Sequence, residues 1–158
     1  RVLSLYGEVQ NAHLVASDIM MARDLQPIET TMQLKEAVQA RLPHGRENKV
    51  LAQIFQALRI EVNQEMDALQ RFLSQCADVL KPGGRLVVLS YHSLEDRLVK
   101  NFTKTGNAEG NEEKDFFGNS LTPYIIINRK PIVPSEEEIA NNSRARSAKL
   151  RIAERKPL

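Results

Sequence analysis

Leu80-Lys81-Pro82-Gly83-Gly84-Arg85-Leu86-Val87-Val88-Leu89-Ser90-Tyr91-His92-Ser93-Leu94-Glu95-Asp96-Arg97 is the stretch on which the fold turns. Lys81 sits where a helix should end, its charge favourable to the carbonyl end of the dipole. Pro82-Gly83-Gly84 breaks the chain. Residues 85–90 are short, apolar and partly β-branched, the texture of a buried strand. Residues 94–102 place Leu94, Leu98, Val99 and Phe102 on one side of a helix. Ser93 suits the N-cap of that helix, with Asp96 in its first turn. Helix, turn, strand and helix make a packing unit of an open α/β sheet, and such sheets bind ligands beyond the carboxyl ends of their strands. His92, Ser93, Glu95 and Asp96 lie at that place. They are candidates for a substrate-facing edge; capping plus a salt bridge is the alternative.

Upstream of this stretch the chain reads as helices. Residues 64–80 are amphipathic, with Met66, Leu69, Phe72, Leu73, Cys76 and Leu80 on one face. Residues 49–58 and 30–42 read likewise, the latter opened by Thr30 and Gln33 as a capping box. Residues 1–26 carry apolar positions at spacings of three and four, so they form one or two helices that Pro27 stops. Residues 1–60 thus form an all-helical part and residues 61–158 an α/β part. Arg59, Glu61 and Asn63 make a polar cluster at the junction. That cluster is either a buried contact holding the two parts or the lining of a pocket.

Downstream, residues 103–122 are polar, carry three glycines and read as a long loop. A second strand is expected at 123–129, an extended run at 131–134, and a short turn or helix opened by Ser135 before Glu136-Glu137-Glu138. In a third strand at 147–153, Ala148, Leu150 and Ile152 alternate with Lys149 and Arg151. The expected class is α/β, a partial sheet with a helical appendage.

Composition excludes several classes. Of 158 residues, 42% are hydrophobic and 27% charged, so wholesale disorder is excluded. No apolar run approaches the roughly 18 residues of a membrane helix, and the first residues lack the apolar centre of a signal peptide. A single cysteine, Cys76, allows no internal disulfide and suits a reducing, cytoplasmic setting. His13, His44 and His92 have no ligand spacing, so no metal is expected. The net charge is +2. Six bases (Arg144, Arg146, Lys149, Arg151, Arg155 and Lys156) face Glu154 alone in residues 141–158, so that segment carries +5 and the rest −3. A basic end on an acidic body points to a polyanion partner. Lys149 and Arg151, two apart on a strand, would share one such partner; Arg144 and Arg146 would join them, unless all four merely form an exposed face.

These segments resemble a known family. Pro82-Gly83-Gly84 before an apolar strand resembles the fifth-strand entry of class I S-adenosylmethionine methyltransferases. Residues 55–63 (FQALRIEVN), 90–97 (SYHSLEDR) and 143–151 (SRARSAKLR) resemble signatures of the bacterial small-subunit rRNA cytosine-N4 methyltransferases. Residues 27–31 (PIETT) and 134–138 (PSEEE) match as well, in order, through nearly the whole chain; Tyr91 stands where the family has Phe. The resemblance implies a Rossmann-like catalytic domain with an inserted helical, substrate-recognition domain, the last two strands forming the antiparallel pair that closes the sheet. It implies S-adenosylmethionine as cofactor and small-subunit rRNA or the ribosomal subunit as partner. It also implies a glycine-rich turn after a first strand and an acidic residue for the ribose. None of the seven glycines makes such a turn. No cofactor-binding residue is therefore carried over, and the chain is expected to be the latter part of a longer protein, inactive by itself and prone to dimerise. His92 or Ser93 is expected to line the target-base pocket, with structural packing or capping as the alternative for His92. Without an upstream cofactor loop, a non-catalytic RNA- or protein-binding module would be the better reading.

Overall fold

The computed structural model describes residues 1–157 and divides into two compact units, Arg1–Glu65 and the chain from Met66 onward. The first unit is wholly helical. α1 (Val2–Leu5) and α2 (Ala12–Leu25) are separated by a turn in which Glu8 and Asn11 adopt left-handed φ of 50° and 53°. Gly7 is required there by close approach: a Cβ would lie 2.7 Å from the Gln53 carbonyl oxygen. α3 (Thr31–Val38) opens with the expected capping box, Thr30 accepting from the Gln33 N–H while the Gln33 side chain accepts from the Thr30 N–H. α4 (Glu47–Asn63) runs past residue 58 and absorbs residues 59–63, because Ile60 continues its buried face of Leu51, Ile54 and Ala57. Leu3, Val9, Val15, Leu34 and Val38 complete this core. Arg41 Nε and Nη2 donate to Asp18 at 2.7 and 3.1 Å, tying the end of the α3 segment to α2.

The second unit is mixed α/β. α5 (Glu65–Val79) and α6 (Ser93–Thr105) pack on one face of a three-stranded sheet made of β1 (Arg85–Ser90), β2 (Tyr124–Ile126) and β3 (Lys149–Arg155). The order is β1-β3-β2, with β3 antiparallel to both neighbours. The three segments read from sequence as strands therefore lie side by side. Leu73, Cys76, Leu86, Val99, Phe102, Tyr124 and Ala153 form the core. Burial pushes the Cys76 thiol up and, acting first, the Tyr124 phenol up to about 12. Val87, Leu89, Ile125 and Ile127 point to the other face and are exposed.

Several boundaries differ from the sequence reading, each for a local reason. β2 spans three residues, not seven. Ile127 still donates to Ile152 O at 3.0 Å. At Asn128 the side chain takes over from the backbone: Oδ1 accepts from the Ile152 N–H at 2.6 Å, and Nδ2 donates to Leu150 O at 3.0 Å and Lys130 O at 2.9 Å. Ile132 then resumes pairing with Leu150. Residues Ser143–Ser147 form a 3₁₀ turn, which moves the start of β3 to Lys149. Ser135 caps α7 (Glu136–Asn141), accepting from the Glu138 N–H. The 103–122 segment is less irregular than a long loop. α6 extends to Thr105, and Lys114 and Ser120 bridge a small antiparallel turn.

Asn128 is tested by truncation. Asn128→Ala leaves the Ile152 N–H without its partner and removes the second donor to the Leu150 carbonyl, which keeps the Ile132 N–H at 2.9 Å. It should cost about 1–3 kcal/mol in chemical denaturation, and a change below about 0.5 kcal/mol, a surface-like value, would show that Asn128 does not determine the fold.

Candidate functional site

The carboxyl end of β1 is where the candidate residues gather. Leu86, Val88 and Ser90 share the inward face of the strand, so Ser90 is buried although polar. Its Oγ finds no hydrogen-bond partner among the described residues. The next residues turn into α6, and the N-cap is His92, not Ser93. His92 is extended (φ −137°, ψ 164°), and its Nδ1 accepts from the Glu95 N–H at 3.3 Å. Glu95 Oε2 accepts in return from the Tyr91 N–H at 2.9 Å. Ser93 becomes the first helical residue and is exposed.

This cap sets the state of the imidazole. With Nδ1 accepting, the proton of the neutral ring sits on Nε2. That atom is buried without a hydrogen bond, 3.4 Å from Glu95 Oε1. Two polar atoms thus stand unpartnered at the end of one strand: a hydroxyl that can accept or donate, and an Nε2–H that donates. Buried polar atoms without partners are uncommon.

Asp96 is turned inward from the first turn of α6 and meets β3. Arg151 Nε donates to its Oδ1 at 2.6 Å and Nη2 to its Oδ2 at 3.1 Å, a bidentate pair in which both side chains are about nine-tenths buried. Lys149 Nζ reaches Oδ2 at 3.5 Å. Lys149 and Arg151 do share a face and a partner, as alternation predicted, but the partner is Asp96 and the face is the inner one. Their expected outward position is corrected by this carboxylate. Asp96 in turn is held by the pair and is not open to a base.

On the outward face of the sheet, opposite to Ser90, runs a groove of about 520 Å³ that neither Ser90 nor His92 lines. Leu89, Ile132, Val133 and Leu150 floor it, Tyr91 stands at one wall, and Arg144 at the rim. Arg144 and Arg146 are exposed on the 3₁₀ turn, whose N–H at Arg144 is capped by Asn142 Oδ1 at 3.2 Å.

Comparison with known proteins bears directly on this arrangement. The model of the MraW methylase family matches residues 1–156. The chain belongs to the MraW methylase family. It is 57% identical over 155 residues to a Bacteroides fragilis protein named ribosomal RNA small subunit methyltransferase H, covering 98% of this chain and 51% of the relative. A Flavobacterium johnsoniae protein of that name is 57% identical over 155 residues, with the same coverage. One from Amoebophilus asiaticus is 56% identical over 153 residues, covering 97% and 49%. The chain spans about half the length of the curated relatives it matches.

The remaining candidates of this MraW-family chain belong to the helical unit. Arg59 Nε and Nη2 donate to Glu65 at 2.8 and 3.0 Å, and Asn63 Nδ2 donates to the same carboxylate at 3.2 Å. Glu61, Asn63 and Arg59 are exposed, so the cluster is not the buried contact expected. The acid that gathers it is Glu65, because α4 carries Glu61 to another side while Gln64, in a left-handed turn, brings Glu65 back. Ser90 was missed by sequence reasoning. Its signal was parity, a serine two residues beyond Val88 on the inward face of an apolar strand.

Burial of Asp96 by itself would raise its carboxyl pKa; the hydrogen bonds and charge of Arg151, with Lys149, outweigh that and hold it below the ordinary value. The pair then stabilises the fold above the unfolded carboxyl value of about 3.9 and loses that contribution as pH falls through the lower folded value. Asp96→Asn should cost about 3 kcal/mol at pH 7, because Arg151 is left buried and unpaired. Its deficit against wild type should shrink as pH drops below about 4 in urea titrations. A deficit that stays constant down to the acid limit would show that the carboxylate charge is not what Arg151 needs.

Proposed function

We propose that this chain is the substrate-facing part of a methyltransferase that moves a methyl group from S-adenosylmethionine to the exocyclic N4 of a cytosine in small-subunit rRNA. The observation that carries the reading is the pair of unpartnered polar atoms, Ser90 Oγ and His92 Nε2, at the carboxyl end of β1. A cytosine offers a matching set: an amine that donates, beside a ring nitrogen and a carbonyl that accept. In this reading Ser90 accepts from the amine and His92 donates to the ring edge, which holds the amine nitrogen toward the incoming methyl carbon. Positioning is the main work of such a displacement. Tyr91, exposed at the groove wall, is suited to stack on a base that has left its helix. Arg144 at the groove and Arg146 on the same 3₁₀ turn contact phosphates.

The relatives' name supports rRNA of the small subunit as substrate. The sheet supports a Rossmann-like catalytic domain: β1 and β2 run in one direction with β3 reversed between them, β1 pairs only with β3 among the described residues, and the face with Val87 and Leu89 is uncovered. The helical unit is then the inserted substrate-recognition domain.

The described residues do not fit the cofactor's amino-acid end. The one strand-to-helix turn, residues 90–93, closes on itself through His92 and Glu95, which occupy the N–H groups of Glu95 and Tyr91. Gly83 and Gly84 precede a strand and open no helix.

In the protein at its natural length, Ser90→Ala and His92→Ala should each lower kcat on small-subunit rRNA by tenfold or more, His92→Ala also losing about 1 kcal/mol of stability with the α6 cap, and His92→Gln, which keeps an acceptor and a donor, should recover part of the loss. Unchanged kcat in both alanine variants would sink the base-pocket assignment. Arg144→Glu with Arg146→Glu should weaken rRNA binding and flatten log K against log salt by about two phosphate contacts. An unchanged salt slope would place the RNA elsewhere.

A further inference from the structure

At the far end of α6 from His92, the chain builds a rigid turn with two phenylalanines at its tip. Phe116 and Phe117 are 98% and 85% exposed, the most open aromatic pair in the described chain. The turn beneath them is tightly bonded. Asp115 Oδ1 accepts from the N–H groups of Phe117 at 2.9 Å and Asn119 at 2.8 Å, and Oδ2 accepts from Asn119 Nδ2 at 2.9 Å. Asp115 N–H donates to Asn119 O at 2.9 Å, and Leu121 N–H to Glu113 O at 2.9 Å. Gly118 supplies the left-handed φ of 85° that closes the turn. Asp115 is held below the ordinary carboxylate range, first by the hydrogen bond from the Asn119 side chain.

Two large apolar rings held in water by a bonded turn are a preorganised anchor. Its surroundings select the partner. Between Gly106 and Leu121 lie Glu109, Glu112, Glu113 and Asp115, against Lys114, whose Nζ is 3.5 Å from Glu112, and from outside the segment Lys156 Nζ donates to Ser120 O at 3.3 Å, so the balance around the turn stays acidic. Single-stranded RNA sites set aromatic rings among cations that follow the phosphates; here the rings stand among carboxylates. The rings are also perpendicular, at 86° with centroids 5.7 Å apart, a wedge and not a flat platform for successive bases. Anionic lipid is disfavoured by the same charges. The turn follows the C-terminal end of α6, a 13-residue helix about 20 Å long whose N-terminus is at the β1 site.

We propose that Phe116 and Phe117 dock into an apolar slot rimmed by Arg or Lys on a protein component of the small ribosomal subunit, so that the enzyme holds a protein-bearing particle at two points. This rests on the rRNA reading above. The test measures binding to assembled small subunits and to the same rRNA stripped of protein, using the protein at its natural length. The variants are Phe116→Ser with Phe117→Ser, Phe116→Leu with Phe117→Leu, and Glu112→Lys with Glu113→Lys. Thermal midpoints should match wild type; a midpoint lowered in the serine variant would show the rings packed within the longer protein and overturn the proposal. The serine variant should bind assembled subunits at least tenfold more weakly yet bind stripped rRNA within twofold of wild type. The leucine variant should recover much of the loss, and the lysine variant should weaken subunit binding while tightening on stripped rRNA. Equal loss on both probes would overturn the proposal in favour of base stacking. So would wild-type affinity of the serine variant for assembled subunits. Wild-type protein that binds neither probe would sink the rRNA reading itself, a result distinct from both.

Discussion

The Asp96–Arg151 pair is the contact around which the α/β unit is organised. A carboxylate in the first turn of α6 and a guanidinium in the middle of β3 meet with two hydrogen bonds, and both are buried. Neither could be inside alone, since a buried unpaired charge is costly. Their meeting fixes which face of β3 turns inward. It thereby sets the register Val88↔Arg151 and Ser90↔Lys149 against β1, and the height of α6 over the sheet. The N-terminus of α6 is therefore clamped where β1 ends, which is where Ser90 and His92 stand.

The same end of α6 shows how one short segment serves two purposes. His92 satisfies the Glu95 N–H, and Glu95 satisfies the Tyr91 N–H, so the turn is stable without help. Because the cap uses Nδ1, the ring's other nitrogen is committed to donation. A structural duty thus decides the chemical one. Capping and base recognition, alternatives in the sequence, use different atoms of one imidazole.

Much of the secondary structure was legible because its causes are local. The Thr30–Gln33 capping box, the Ser135 cap, the stop before Pro27 and the break at residues 82–84 each depend on residues within one turn. Other boundaries were misplaced where neighbours compete. His92 and Ser93 both suit a cap, and backbone angles give it to His92. Asn128 ended β2 early because its amide can replace a backbone partner, which no periodicity records. The ordered turn at residues 115–119 carried a readable sign, an Asp followed by Gly and Asn, though its length suggested irregular chain.

Order along the chain, the split between helical and mixed parts, the strand segments and the family all follow from the amino acids in succession, since propensity, capping and motif spacing act over a few residues. Which side of β3 faces the core does not. Alternation groups Lys149 with Arg151, but only a carboxylate 55 residues earlier, brought alongside by folding, turns those charges inward. Burial, orphaned polar atoms and shared partners are properties of distance in space, and for those the tertiary structure alone decides.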